Sequence, residues 1–337
     1  MILKIFRVLS LIVLLPLSSH AQQGTIAKRP LFRDPVFDGA ADPVVVWNKK
    51  EKRWFMFYTN RRAKAEGLDG VRWVHGTRIG IAESIDGGAT WTYRDTADIQ
   101  YRPMHDYTHW APEVIEHNNL YHMYLSYVPG VFSDWSHPRD ILHLTSKDLL
   151  HWKYESTLKL ASSRVIDACV FRMPDQSWRM YYNNEDDSKS IYYADSKDLY
   201  HWTDGTKVVG DRAGEAPKVF RWKDTYWMVV DNWAGLGIYS SGDLKNWKRQ
   251  ENNILQTPGI GVDDGVKGCH PDVVVKGDRA YLFYFTHPGR LPGVTTEDTY
   301  ETRRSTLHVT ELFLKDGVVF CDRDKPVRID LKRSSVK

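Results

Sequence analysis

The chain has 337 residues, with 46 Lys and Arg against 43 Asp and Glu and a formal charge of +3, a balance that gives no electrostatic case for a nucleic-acid-binding or polyanion-coating protein. Aromatic residues make up 13% and crowd into short runs such as WFMFYT, YHMYLSY and YLFYFTH, while long apolar stretches at helical spacing are hard to find, so an almost wholly β protein is expected. Cys169, Cys269 and Cys321 are too few and too scattered for a disulfide framework and match no zinc-ligand spacing; one bridge stays open, with three buried thiols as the expectation.

The first element is a leader. Lys4 and Arg7 precede an apolar run from Val8 to Leu17, and small residues lead to Ala21. The run is shorter than the ~20 residues a bilayer requires, so residues 1–21 read as a secretory signal cleaved after Ala21. Its removal leaves a charge of about +1. No cysteine sits beside the cleavage point, so a lipoprotein anchor is not expected. The expected location is a bacterial periplasm or exterior, and no later apolar run is long enough to insert in a membrane. Residues 22–337 are expected to form one domain.

That domain repeats. A short apolar run, a polar turn and an aromatic run recur five times: ADPVVVW with WFMFYT, APEVIEH with YHMYLSY, DACVFRM with WRMYYN, APKVFRW with YWMVVDN, and HPDVVVKG with YLFYFTH. The intervening turns have hairpin chemistry. A second signal lies between later strands, SIDGGATW at 84–91, SKDLLHW at 146–152, SKDLYHW at 196–202 and SGDLKNW at 241–247; there Ser and Asp can satisfy turn amides while Trp packs beneath. Repeats of roughly 45–65 residues signal a propeller or solenoid. Five units predict a five-bladed β-propeller, a closed ring with no long free edge. The last stretch, LHVTELFLKDGVVF, is expected to complete a blade together with a strand from the N-terminal side.

Aligned on their first apolar runs, the five units carry Asp42, the Trp110–Glu113 segment, Asp167, Glu215 and His270 at the position before the run. First strands line a propeller's channel, so three carboxyl groups are expected to meet at its mouth. Buried acids are costly unless paired or used. Pairing with Arg164, Arg212 or Lys218 is one account. Glycoside hydrolysis with inversion is another: a carboxylate activates water on one face of the sugar, a carboxylic acid of raised pKa protonates the leaving oxygen on the other, and a third carboxylate tunes that acid.

On these segments the chain resembles glycoside hydrolase family 43 and, more loosely, families 62, 32 and 117. ADPVVVW resembles the segment around the general base, which falls on Asp42. VIDACVF resembles the segment of the pKa-tuning acid, which falls on Asp167, and GEAPKVFRWKDTYWMV resembles the one carrying the general acid, which falls on Glu215. HWAPEVIEHNNLYHMYLSY is similar to a WAPDV element, with Glu113 where Asp is common, and GCHPDVVV to a segment whose His, here His270, approaches the pocket centre. AlaPro follows Glu215 where GlyPro is usual, and Cys169 stands where Pro or Ser often follows the tuning acid. The resemblance implies an exo-acting enzyme on a terminal arabinofuranose, xylose, galactose or anhydro-sugar of a plant or algal oligo- or polysaccharide.

Candidate substrate contacts are Arg61, His109, Trp110, Glu113, Trp135, Asn183, Arg212, Trp233, His270 and Arg290. The insertions at 61–78 and 128–140 are expected to wall the pocket, with Arg62, Trp73 and Arg139 also in reach; their arginines hint at an acidic or sulfated sugar. No cofactor is required by this chemistry. The place open to a structural calcium or other cation is the central channel, with His270 as its candidate ligand; Asp263, Asp264 and Asp272 also lie close in sequence, though a solvated loop is the expectation for them. Two other readings compete. SIDGGATW fits an Asp-box turn, so a retaining sialidase is the alternative enzyme, its arginine grip drawn from Arg33, Arg61, Arg62, Arg212, Arg290 and Arg303 on a ring of six blades. A non-catalytic carbohydrate-binding propeller is the alternative of another class, for which the acid trio has no use.

Overall fold

The computed structural model describes residues 24–101, 106–294 and 297–331; the proposed leader and its cleavage point lie outside them. Five antiparallel four-stranded sheets form the blades of a propeller. Blade 1 comprises Ala40–Asn48, Arg53–Asn60, Arg78–Ser84 and Thr92–Thr96; blade 2 comprises Thr108–His117, Leu120–Val128, Asp140–Ser146 and His151–Thr157, with Asp98–Ile99 added in parallel at its outer edge. Blade 3 runs through Val165–Arg172, Trp178–Asn184, Ser190–Ser196 and Thr206–Val209, blade 4 through Glu215–Trp222, Thr225–Asp231, Leu236–Ser241 and Lys248–Arg249, and blade 5 through Cys269–Lys276, Arg279–Thr286, Thr306–Lys315 and Val318–Cys321. Each first strand packs against those of the neighbouring blades, and blade 5's against blade 1's. The ring is closed.

The sequence patterns follow from this stacking. Every sheet has a neighbour on both faces, so the second strands read as unbroken aromatic runs: Trp54 to Asn60 and Tyr121 to Val128 are buried throughout. The core is correspondingly divided into five large clusters, one at each junction between blades, and a small sixth of Trp110, Ala111 and Val128. The repeated Ser-Asp turns behave as expected. In blade 2 the Leu149 N–H donates to Ser146 Oγ (2.8 Å) and those of Leu150 and His151 to Asp148 Oδ1 (2.9 Å), while Trp152 is fully buried.

The expected closure of the last blade from the N-terminal side is reduced to one antiparallel bridge, Phe32 to Leu307 on the third strand of blade 5, rather than a full strand. Blade 5 draws all four strands from the C-terminal part of the chain, because the turn at Asp316–Gly317 lets Val318–Cys321 fold back on Thr306–Lys315. The N-terminal strand Thr25–Ile26 pairs instead with Arg328–Ile329. The C-terminal tail beyond it staples blade 1, where the Leu331 N–H donates to the Gly87 carbonyl and Trp54 Nε1 to the Leu331 carbonyl (3.0 Å).

Candidate active site

All five first strands carry a β-bulge at the same height. The register slips between Ala41 and Val44, Trp110 and Pro112, Ile166 and Cys169, Glu215 and Lys218, and Cys269 and Asp272. One residue in each slip has positive φ: Asp42 (54°), Ala111 (41°), Asp167 (59°), Ala216 (53°) and His270 (41°). Asp and His are among the side chains that tolerate this region best. A non-glycine residue held there costs about 1–3 kcal/mol, and bonds between blades help hold it. The Ala111 N–H donates to Thr59 Oγ1 (2.8 Å), that of Asp167 to Ser126 Oγ (3.0 Å), that of Ala216 to Asp167 Oδ2 (3.1 Å) and that of His270 to Asp231 Oδ2 (2.9 Å).

A bulge sets two consecutive residues against one on the partner strand, so strict alternation breaks at the channel mouth and a blade can reach it from either of two neighbouring positions, as blade 3 does from both. Asp42, Asp167 and His270 reach it from the positive-φ position, and Trp110, Ile166 and Glu215 from the residue before. This corrects the alignment drawn from sequence: the counterpart of Asp42 in blade 4 is Ala216, and Glu215 stands one residue earlier. Strict alternation fixes which of two neighbours points inward; the bulge lets either reach the pocket, and in blade 3 both Ile166 and Asp167 do.

The pocket has a volume of about 340 Å³, near the small end of the roughly 300–1,000 Å³ range of ligand sites. Trp135 and Arg139 from the 128–140 insertion and Arg61 and Val74 from the 61–78 insertion wall it, as the loop lengths suggest. Asp42 is buried against two cationic or polar neighbours: Arg61 Nη2 lies 3.0 Å and His270 Nδ1 3.3 Å from its Oδ1. Burial pushes its carboxyl up, yet Arg61, His270 and Thr59 together hold it below the usual carboxylate range. Glu215 behaves oppositely. Burial first, then the charge of Asp231, push it up to about 7 against the pull of Lys189, with Asp42 adding to the rise and the Trp233 indole N–H, 3.1 Å from Oε1, opposing it. Asp167 is held well above its ordinary value by burial and by the charges of Glu215 and Asp42. One pocket thus holds an ionised carboxylate and a protonated acid near neutral pH.

Several residues that the sequence does not single out complete it. Asp231, directly across the strand pair from Glu215, accepts the N–H groups of Trp233 (2.8 Å) and His270 (2.9 Å); burial raises it to about 6 despite those bonds. It stands at the end of a second strand, the place of Thr59, Ser126 and Asn183 in other blades, so extending the alignment to second strands finds it. Trp233 itself has φ of 55°, a strained value for a bulky residue. Glu185 and Lys189, from the Asn184–Ser190 hairpin turn, also line the pocket; Glu185 binds Arg139 Nε and Lys189 Nζ, both at 2.8 Å. No motif marks them.

The remaining candidates lie elsewhere. Glu113 faces the layer beneath, where Lys218 Nζ contacts both Glu113 Oε2 and Asp272 Oδ1 at 2.8 Å. That buried trio floors the pocket around a cavity of about 10 Å³. His109 is buried behind the lining, between the rings of Tyr107 and Tyr127. Asn183 is fully buried, its amide donating to the Gly214 carbonyl. Arg212 is exposed away from the pocket, and Arg290 lies over Trp73 with its Nε on the Thr302 carbonyl (2.8 Å). Arg61 lines the pocket but is occupied by Asp42 and by His287 Nε2 (2.9 Å).

Asp264 and Asp272 are buried rather than solvated. Asp264 receives Arg323 and the Tyr284 hydroxyl, Asp263 pairs with Arg304 (3.0 Å), and Asp272 with Lys218. They therefore do not converge on an ion, and among the described residues no three His, Cys, Asp or Glu side chains form a metal-holding group around His270 or elsewhere. Of the arginines named for a sialidase-like grip, Arg33 binds Asp38, Arg303 binds Asp298 and only Arg61 lines the pocket; Arg139 and Arg164 line it as well, drawn to Glu185 at 2.8 and 3.8 Å.

Residues 111–262 match the family model described as glycosyl hydrolases family 32 N-terminal domain. A fructan β-fructosidase of Streptococcus mutans serotype c is 25% identical over 176 residues, covering 44% of this chain; the match spans 12% of that protein's length. Among solved structures, a thermostable family 43 glycoside hydrolase is similar at 20% identity with a TM-score of 0.67, covering 90% of this chain and 100% of its own. A family 43 β-1,3-galactosidase with galactodeoxynojirimycin is similar at 13% identity and a TM-score of 0.65 over 88% of this chain and 98% of its own. The Bombyx mori family 32 β-fructofuranosidase follows at 14% identity and 0.61 over 84% of this chain and 62% of its own. The fold is that of the five-bladed propellers of glycoside hydrolase families 43 and 32.

Proposed function

We propose that this chain is an exported, exo-acting glycosidase that hydrolyses a terminal sugar with inversion of configuration. The observation that carries the reading is the opposed protonation of two buried carboxyl groups in one pocket: Asp42 held as carboxylate by Arg61 and His270, and Glu215 held protonated to about pH 7. Glu215 gives its proton to the glycosidic oxygen as the bond to the anomeric carbon breaks. Asp42 takes a proton from the water whose oxygen forms the new bond to that carbon. Proton exchange with solvent then returns both groups to their starting states. Asp231, and to a lesser degree Asp42, places negative charge beside Glu215 and so keeps its proton on at neutral pH, while Asp167, itself held protonated by burial and by the charges of Glu215 and Asp42, positions the acid's strand through the Ala216 N–H.

The closed floor of Glu113, Lys218 and Asp272 and the loop walls support attack on a chain end. Trp110, Trp135 and Trp233 offer ring faces to a sugar. A terminal arabinofuranose, xylose, galactose or anhydro-sugar on a plant or algal glycan is the proposed substrate, and the leader at residues 1–21 supports export to the periplasm or beyond.

One observation favours a second outcome for the same residues. The matched family 32 domain belongs to a retaining family; if Asp42 attacks the anomeric carbon directly, a covalent intermediate forms and the product keeps its configuration. Incubation of the wild type, Glu215→Gln and Asp42→Asn with a panel of plant and algal oligosaccharides, with the first-formed anomer read by NMR, tests both. The proposal expects release of an inverted sugar by wild type and at least a hundredfold loss in each variant. A retained anomer would move Asp42 from base to nucleophile, and undiminished activity in both variants would remove both residues from the chemistry.

A further inference from the structure

Outward of Val74 lies a second hollow of about 340 Å³, into which Arg62, Arg72 and Arg78 converge. Ala40, Asn60 and Arg78 stand in register across blade 1. The hollow therefore opens at the end of the sheet from which Asp42 enters the catalytic pocket. The two come close along the Val74–Gly76 segment, Val74 lining one and Gly76 the other.

Arg62 and Arg72 are held there with little among the described residues to neutralise them. Arg62 is half-buried and donates to the Arg72 carbonyl, while its Nε is buried without a partner. Gly76 makes room for it: at φ +65° it is already in glycine's region, and a Cβ would stand 3.1 Å from Arg62 Cζ. Arg78 donates to the carbonyls of Thr77 and Tyr107, each at 2.9 Å, and lies 3.7 Å over the Tyr107 ring. No carboxylate among the described residues forms an ion pair with Arg62 or Arg72. Burial and the like charges of Arg72 and Arg78 lower the pKa of Arg62, and Asp106 at the rim only partly opposes them. Crowded guanidinium groups with unfilled donors are the chemistry that recognises an oxyanion.

We infer that this hollow is a subsite for an anionic substituent, a sulfate ester or uronic carboxylate, on the glycan whose terminal sugar enters the catalytic pocket. The link between the two hollows rests on the glycosidase reading; the anion site itself does not.

The test uses the full chain carrying Glu215→Gln, so that glycans bind without turnover, and calorimetric titration with matched neutral, sulfated and uronate-bearing oligosaccharides and with inorganic sulfate. Arg62→Gln and Arg72→Gln are added singly, with melting temperature as the check on folding; Arg72 is exposed and its replacement is expected to leave the fold intact. The expected result is about tenfold tighter binding of one charged oligosaccharide than of its neutral partner, lost in both arginine variants and shrinking as salt rises. Which charged glycan gains distinguishes sulfate from carboxylate. Equal binding of charged and neutral glycans overturns the inference, as does binding of inorganic sulfate with no preference among the glycans. Hydrolysis by the enzyme with Glu215 intact is followed in parallel. Cleavage without charge preference removes the subsite and leaves the glycosidase reading. Charge-selective binding with no cleavage of any glycan does the reverse, and absence of all glycan binding overturns both.

Discussion

Replacing Asp231 by Asn removes a negative charge from beside the proposed acid while nearly preserving shape. Asp231 and Glu215 are directly opposed across the first two strands of blade 4, which sets their Cβ atoms about 4.5–5.5 Å apart. Two carboxylates about 6 Å apart repel by roughly 3 kcal/mol at an effective dielectric of 20, or about two pKa units. Asp231 titrates near 6 and so is charged over the range in which Glu215, at about 7, loses its proton. The sign follows: the active form carries the Glu215 proton, the Asp231 charge keeps that proton on, and its removal lets the proton leave at lower pH. The alkaline limb of kcat/KM is therefore expected to move down by about one to two pH units, which costs roughly tenfold or more at pH 7 and much less at pH 5. Asn offers one oxygen to the two N–H groups that Asp231 accepts, so some loss at all pH values is expected as well. The assay is a pH series of kcat/KM on the glycan found by the panel. A limb that stays in place or moves upward, whatever the size of the loss, would refute the assignment of Asp231 as the group that tunes Glu215.

Trp233→Phe should move the same limb upward, because the indole N–H stabilises the Glu215 carboxylate; a downward shift in the pH series would contradict it. Arg61→Gln should act on the acidic limb. Arg61 favours ionised Asp42, so its loss raises the pKa of the base, and the low-pH fall in kcat/KM is expected to begin at higher pH; an unmoved limb would separate Arg61 from the base. Lys218→Met should leave Glu113 and Asp272 buried without their cation, which is expected to destabilise the fold by about 3–5 kcal/mol in urea denaturation, and an unchanged midpoint would show that the floor does not depend on that charge.

The ring was legible because each blade restates the same hairpin in its own composition, and because stacking on both faces turns second strands such as WFMFYT into apolar runs. Asp42, Asp167 and Glu215 could be placed at the channel mouth from the start of their strands alone. Their relative height could not: a bulge changes which neighbours share a face, and nothing in the spacing of Glu215, Ala216 and Pro217 tells a two-residue periodicity that Glu215, one residue before the positive-φ position, reaches the same pocket as Asp42 and Asp167. Asp231, Glu185 and Lys189 depend on how hairpin ends lean over the channel, and the pairing of Glu113 with Lys218 joins blades 2 and 4 across it. Such contacts are fixed by ring closure rather than by local pattern. The same holds for the C-terminal staple, where Leu331 reaches blade 1 while the N-terminal side adds to blade 5 only the bridge from Phe32 to Leu307.

The anomer released in the first turnovers tests the central claim most directly. On a glycan cleaved by the wild type, NMR is expected to show the inverted sugar first, with Glu215→Gln and Asp42→Asn each slowed at least a hundredfold. Appearance of the retained anomer would contradict the proposed role of Asp42 as base, and a wild-type rate in either variant would contradict the pairing of an ionised Asp42 with a protonated Glu215 as the source of catalysis.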